Sequence, residues 1–411
     1  MPTARRHTRD EQRSMTSEKR HLPCDPPGGA PAPQALRRGL PYGAVMATGA
    51  AAQLAGACRL TGAVRPLLWL AVGEALWICG RGMARHRREL RLPISAWLGL
   101  GPSGEHTGVL TVPLGLAVVA TGLSTQHGEP AATVGVVCFV LAWLGAAVFL
   151  GRFVASIVRC HRAETVDGGW FLAPAALLGD GIAAAARVPH ASGAMHDVLQ
   201  WASLLAAAAG VVGYWAVAAA AAARVTRRGL GDDRRVLWWI AAGCGGLAAA
   251  SVGRALAADD SYWPPGVSVA CHIAAAATWA LAAALAVPIV IESLRWLSGT
   301  RRIVRLAPWP PTFSTAVFAL GGLATGAMFH AHAITMIGKA AGFATLALWA
   351  ITAGLHATRA IPTRRGRRRG VGGQQRTAGA PPRRPAAGAA QETWDREDAD
   401  AGATIALIVE P

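Results

Sequence analysis

The sequence predicts an all-α integral membrane protein, in which ten transmembrane helices pair as five hairpins around a central pore. Three observations carry the prediction. Of the 411 residues, 53% are hydrophobic and only 15% charged, whereas a soluble surface uses about a quarter charged residues. The apolar residues run in stretches of roughly 18 to 25 positions, long enough to cross a bilayer core; Ala131 to Leu150 and Trp201 to Ala223 are examples. The arginines between these stretches alternate in density, as the two sides of a membrane require.

Taken in order, the stretches place spans at 40–58, 62–80, 107–124, 131–151, 169–187, 197–223, 236–257, 267–294, 312–332 and 338–358. Arg81, Arg85, Arg87, Arg88 and Arg91 follow the second span, and Arg152, Arg159 and Arg162 the fourth. Arg224, Arg227, Arg228, Arg234 and Arg235 follow the sixth, and Arg295, Arg301, Arg302 and Arg305 the eighth. The opposite loops hold Arg59, Arg65, Arg187, Arg254 and Lys339. Positive charge collects on the cytoplasmic side, so both termini are expected there, with short external loops such as Thr125 to Pro130. The net charge of +17 and pI of 11.1 therefore reflect topology rather than nucleic-acid binding.

Residues 1–38 mix Arg, Pro and Gly without the apolar segment of a signal peptide. They read as a disordered basic cytoplasmic tail preceding a membrane domain at 39–360. Residues 361–411 are basic at Arg364 to Arg369, then rich in Pro, Ala and Gly, then acidic from Glu392 to Asp400. Such a segment buries too little to fold, and its basic part suits anionic lipid. The cysteines, Cys24, Cys58, Cys79, Cys138, Cys160, Cys244 and Cys271, show no metal-ligand spacing. No cofactor is expected.

The members of each hairpin differ. Tryptophans within spans fall on the second helix: Trp69, Trp77, Trp143, Trp201, Trp215, Trp279, Trp296 and Trp349. First helices are dominated by Gly, Ala, Thr and Pro, with Ala-Thr-Gly recurring at 47–49, 120–122 and 324–326. Bulky amphipathic rings favour lipid and its interfaces, and small residues allow close helix approach. The first helices are thus expected to be inner and the second ones outer. Pro113 and Pro174 are expected to kink two inner helices.

Several segments resemble the tellurite-resistance/dicarboxylate transporter family, which includes bacterial tellurite-resistance channels, yeast malate and sulfite transporters and plant slow anion channels. The matching pieces are Pro41 to Gly49, Gly169 to Pro174, Trp238 to Gly243, Thr278-Trp279 through Pro288, and Phe318 to Gly321. The chain departs from the family at Ala47, where Gly is usual, and at Ala319, where Pro is usual. The resemblance implies five hairpins in quasi-fivefold arrangement, a pathway for small inorganic or organic anions through the inner ring, and often a homotrimer in the cell membrane. The substrate class stays open among C4-dicarboxylate, tellurite, sulfite, halide and nitrate.

A phenylalanine of the ninth helix plugs the pore in that family. Phe318 matches it through the Leu-Gly that follows, and Phe313 is a second candidate. Thr48, Gly49, Pro113, Gly115, Pro174, Gly179 and Gly321 are expected to line the pore. Arg254 either attracts anions at the outer mouth or pairs with Asp259 or Asp260 at the surface. Glu74 either faces inward, to pair or carry protons, or sits shallower than the span suggests. Asp180 would oppose anions unless neutralised by Arg187, and His330 and His332 read as interfacial polar residues before a metal pair. The intramembrane carboxylates Glu74, Asp180 and Glu292 are too dispersed for an enzyme, and neither tail offers a sensor domain. A membrane-embedded enzyme or sensor is the alternative reading.

The topology predicts that a cysteine placed beside Arg228 is labelled by an impermeant thiol reagent only after the cells are opened. One beside Thr125 should be labelled from outside intact cells. The reverse pattern contradicts the orientation.

Overall fold

The computed structural model describes residues 41–88, 110–126, 128–160, 166, 168–228, 238–259, 262–297 and 309–360. The two predicted tails and the connections holding Arg91, Arg234 and Arg302 lie outside the described residues. Within these residues the chain forms ten α-helices, two short 3-10 turns and no strand. They are α1 (Pro41–Ala57), α2 (Thr61–Arg88), α3 (Thr111–Ser124), α4 (Glu129–Cys160) and α5 (Leu172–Ala185). Then follow α6 (Ala194–Arg228), α7 (Trp239–Ala257), α8 (Pro265–Leu297), α9 (Trp309–Met328) and α10 (His332–Ala360).

Seven of these segments are long and apolar enough to cross a membrane: α2, α4, α5 with its flanking turns, α6, α7, α8 and α10. α3 is apolar but spans 14 residues. In lipid only structures that satisfy their own backbone hydrogen bonds persist, which is why such stretches become helices.

Short turns join α1 to α2 and α9 to α10, and both close in the same way. Arg59 and His330 adopt left-handed backbone with φ of 63° and 49°. The next amide reaches back across the turn, Leu60 N–H to Ala55 O at 2.7 Å and Ala331 N–H to Gly326 O at 2.8 Å. This is the Schellman arrangement, which satisfies carbonyls that a helix end leaves open.

The odd helices pack in a closed cycle: α1 on α3, α3 on α5, α5 on α7, α7 on α9, and α9 back on α1. Each even helix packs on the odd helix before it and on the next one round, α10 closing onto α1. Burial follows this division. In α5 and α7, 83% and 89% of the apolar stretch is buried, against 17 to 33% in α2, α4, α6, α8 and α10. Odd helices are inner and even ones outer.

The tryptophan argument for that division holds only in part. Trp69, Trp201 and Trp215 are exposed, but Trp279 is buried and stacks on Phe318 of α9, ring centroids 5.6 Å apart. Trp349 turns inward as well, its indole N–H donating to Thr48 Oγ1 at 3.1 Å. The polar edge of the indole finds an acceptor at the inner helices, and that outweighs a lipid-facing position.

Each seam of the cycle contains a glycine whose Cβ position is crowded by the neighbouring inner helix. A Cβ on Gly43 of α1 would lie 3.3 Å from Trp309 of α9, and one on Gly49 would lie 2.8 Å from Val118 of α3. One on Gly179 of α5 would meet Leu114 of α3 at 2.7 Å, and one on Gly181 would meet Ser251 of α7 at 2.9 Å. The tightest seam is α7 on α9, where a Cβ on Gly246 would run into the Phe318 Cα and lie 2.7 Å from the Val317 carbonyl. Backbone cannot yield as a flexible side chain can.

Gly246→Ala should therefore lower the thermal unfolding midpoint in detergent, with a cost of about 1–3 kcal/mol or more from overpacking. Gly73→Ala, with nothing within 4 Å of the new methyl, should leave the midpoint unchanged or raise it. Equal midpoints for the two variants contradict the seam.

Candidate functional site

Helical geometry says which side chains of the odd helices turn to the interior of the cycle. On α9, Ser314 lies under Gly243 of α7, and Gly322 lies by Trp279 of α8 and Gly338 of α10. At about 100° per residue, Phe313 points to the side bounded by α7 and α1, and Phe318 points toward α8. Burial agrees. Phe313 is 3% exposed and belongs to an apolar cluster drawn from all five odd helices, with Met46, Leu114, Ala176 and Leu247 among its members. Phe318 is half-buried, in a separate cluster with Trp279 and Val252.

Between Trp239 and Ala257, α7 is buried at every position from Ile240 to Leu256 except Arg254, which is exposed. Gly253 lies against Ala324 and Met328 of α9, Ser251 against Gly181 of α5, and Gly245 against Tyr214 of α6 and Thr278 of α8. Arg254 therefore points between α9 and α5, into the cycle, where solvent reaches it. Asp259, its predicted surface partner, faces His196 at 3.7 Å; Asp260 lies outside the described residues.

Asp180 is 1% exposed, and neither carboxylate oxygen has a hydrogen-bond partner. Arg187 does not neutralise it: that guanidinium sits over the Phe139 ring of α4, 5.2 Å from its centroid. The wide Phe139 face offers the cation a partner away from the cycle.

Glu74 is also buried, but differently. It faces inward from α2 and accepts a hydrogen bond from Thr48 Oγ1 at 3.3 Å, and Thr48 in turn accepts from Trp349. The Thr48 side chain thus points at α2 and α10, not into the cycle as the sequence suggested, because its hydroxyl has partners there. Pro113 lies 3.3 Å from the Cβ position of Gly145 on α4, and Pro174 equally close to that of Gly213 on α6, so both pack on outer helices. Gly49, Gly179 and Gly321 occupy seams, Gly321 against the Gly246 backbone, and Gly115 is buried. His330 and His332 are exposed at the α9–α10 turn. Sequence reasoning missed Gly43 and Gly246; the Gly243 and Gly246 pair, three apart on one helix face, was the available signal.

Described residues that are helical throughout their regular structure, with apolar membrane-length segments, a ring of small-residue helices and a solvent-reached cation turned into it, define a multi-pass membrane transport protein. The family model described as voltage-dependent anion channel matches residues 41–357. The chain belongs to that family, whose members are anion channels and transporters and not enzymes, and it is related to the tellurite-resistance/dicarboxylate transporters and slow anion channels. No curated protein matches the chain.

Thr48→Val removes the hydroxyl that holds Glu74 and should destabilise the fold by about 1–3 kcal/mol, the cost of leaving a buried polar group unmet. Thr48→Ser keeps the hydroxyl and should unfold at a higher temperature than Thr48→Val. Equal midpoints contradict a structural role for the Glu74, Thr48 and Trp349 cluster.

Proposed function

We propose that this protein carries small anions across the plasma membrane through a passage enclosed by α1, α3, α5, α7 and α9, in a quasi-fivefold arrangement of ten membrane-crossing helices. The observation that carries the reading is the closed cycle of odd helices with Arg254 as the single exposed position from Ile240 to Leu256 of α7. A cation that water reaches within an otherwise buried helix attracts anions and is costly without that role. α1, α3 and α9 fall short of the length or apolarity of the other spans, which suits helices surrounded by protein rather than lipid. Both termini are cytoplasmic in this reading, on the arginine distribution. The large apolar residues exposed on even helices, such as Leu76, Leu144, Leu205 and Val212, face lipid or, at a trimer interface, a second copy.

The anion is of the C4-dicarboxylate, tellurite, sulfite or halide and nitrate class. A phenylalanine of α9 closes the passage by filling it and by keeping water out. Of the two candidates, Phe313 is the ring supported by its place among the odd helices, and the stack on Trp279 ties Phe318 to the outer layer. Gly49, Gly179 and Gly321 shape the walls by letting the helices close up, and the wall surface itself comes from side chains such as Leu247.

Anion flux into proteoliposomes tests both parts. Phe313→Ala should raise flux several-fold, since a methyl group cannot fill the passage. Phe318→Ala should leave flux near the parent's and lower thermal stability, because the stack contributes about 0.5–1.5 kcal/mol beyond burial. A rise with Phe318→Ala alone would move the gate to that ring. No flux from well-inserted Phe313→Ala protein with any of the named anions contradicts the function.

A further inference from the structure

The five inner helices carry two charged residues between them. α1, α3 and α9 have none, α5 has Asp180 and α7 has Arg254. The Cβ position of Gly179 points at Leu114 and Ala117 of α3, and that of Gly181 at Ser203 and Ala207 of α6 and Ser251 of α7. Leu178, on the remaining side, packs against Gly210 of α6. Asp180 is left pointing between α3 and α7, into the same interior that Arg254 enters from the next helix. Gly181 is level with Ser251. Arg254 is three residues beyond Ser251, so its backbone lies about 6 Å further along the axis than that of Asp180, at about 1.5 Å per residue.

Among the described residues, nothing else in the surroundings answers the carboxyl group. α3 presents no titratable side chain. From α4 comes Cys138, which lies in an apolar cluster between α3 and α5, and the Glu129 at its start is exposed. α6 presents Tyr214, whose hydroxyl lies against Gly245, with His196 and Asp197 at one end and Arg224 and Arg227 at the other. α7 adds Cys244, buried in the inner apolar cluster. On its own helix side, Arg187 is taken up by Phe139. The hydroxyls of Ser203 and Ser251, near Gly181, also lack partners, so the site is polar without a donor directed at Asp180.

We propose that Asp180 is a protonation-controlled filter of the anion route, an inference that rests on the function proposed above. When protonated at one carboxyl oxygen by solvent from the mouth, Asp180 donates an O–H hydrogen bond to a passing anion, beside the Arg254 charge. Once the proton returns to water, the carboxylate repels anions and offsets the field of Arg254. Passage of any anion then depends on pH even where the anion's own charge does not change.

The test is efflux of strong-acid anions, nitrate, chloride and sulfate, from proteoliposomes holding the full chain, with pH set equal on both sides. These anions keep their charge, so a pH effect belongs to the protein. Parent flux should rise about tenfold or more between about pH 8 and about pH 5. Asp180→Asn keeps a neutral donor and should be fast and flat across that range, whereas Asp180→Glu should keep the rise. A rise that survives in Asp180→Asn belongs to another group of the chain and overturns the proposal. A flat parent profile at measurable flux overturns it too, and needs no variant. Should Asp180→Asn fail to insert, Asp180→Ser serves in its place, with the same flat profile expected. If no strong-acid anion passes in parent or Phe313→Ala protein at any pH, the anion route itself fails and the filter with it, an outcome distinct from measurable flux without pH dependence.

Discussion

Close approach of neighbouring inner helices at small residues is the constraint on which the rest of the structure depends. Lipid supplies no hydrophobic drive between helices, so association in a membrane rests on packing and on small residues that allow contact. Gly43, Gly49, Gly179, Gly181, Gly243, Gly246 and Gly321 line the five seams, and with them the odd helices close into a cycle small enough for apolar side chains to seal. A bulkier residue at Gly246 would push α9 off α7 and open the ring at its tightest point. The even helices are then placed by where the inner ring leaves room, each resting in the groove between two odd helices.

Among the described residues, the two buried carboxyl groups of the bundle are met in different ways. The Glu74, Thr48 and Trp349 cluster is tied together by hydrogen bonds at the junction of α1, α2 and α10, which is what a structural polar group in a membrane needs. Asp180 has no such bonds, and Arg254 is open to solvent. A buried carboxyl group without donors persists only where something else requires it. The contrast separates the carboxyl group that ties helices together from the one on which the proposed filter rests.

Much of this was legible in the sequence. Lengths of apolar runs placed segments close to which the described helices fall, seven of them long and apolar enough to cross a membrane, since hydropathy acts at the scale of whole segments. Rotation about each helix axis was not legible, because an Ala-rich helix shows almost no periodic difference between faces. Phe313 and Phe318 are five residues apart, which turns them to different sides of α9, and the Leu-Gly after Phe318 says nothing about which side is inner. For the same reason Thr48 was placed in the passage although its hydroxyl serves Glu74, and Pro113 and Pro174 were placed there although they pack on α4 and α6. Trp279 and Trp349 misled as lipid-facing rings because their partners, Phe318 and Thr48, lie far away in the chain.

The central claim, that the odd helices enclose the route, is tested most directly by thiol modification of Leu247, which is 2% exposed and turned to the interior of the cycle. In a cysteine-free background carrying Phe313→Ala, Leu247→Cys should react with a small charged thiol reagent from water, and the reaction should block anion flux. Leu76→Cys, on the outer face of α2 and 68% exposed, should leave flux unaltered under the same treatment. Block through Leu76→Cys, with Leu247→Cys inert at undiminished flux, would place the route outside the ring and contradict the account.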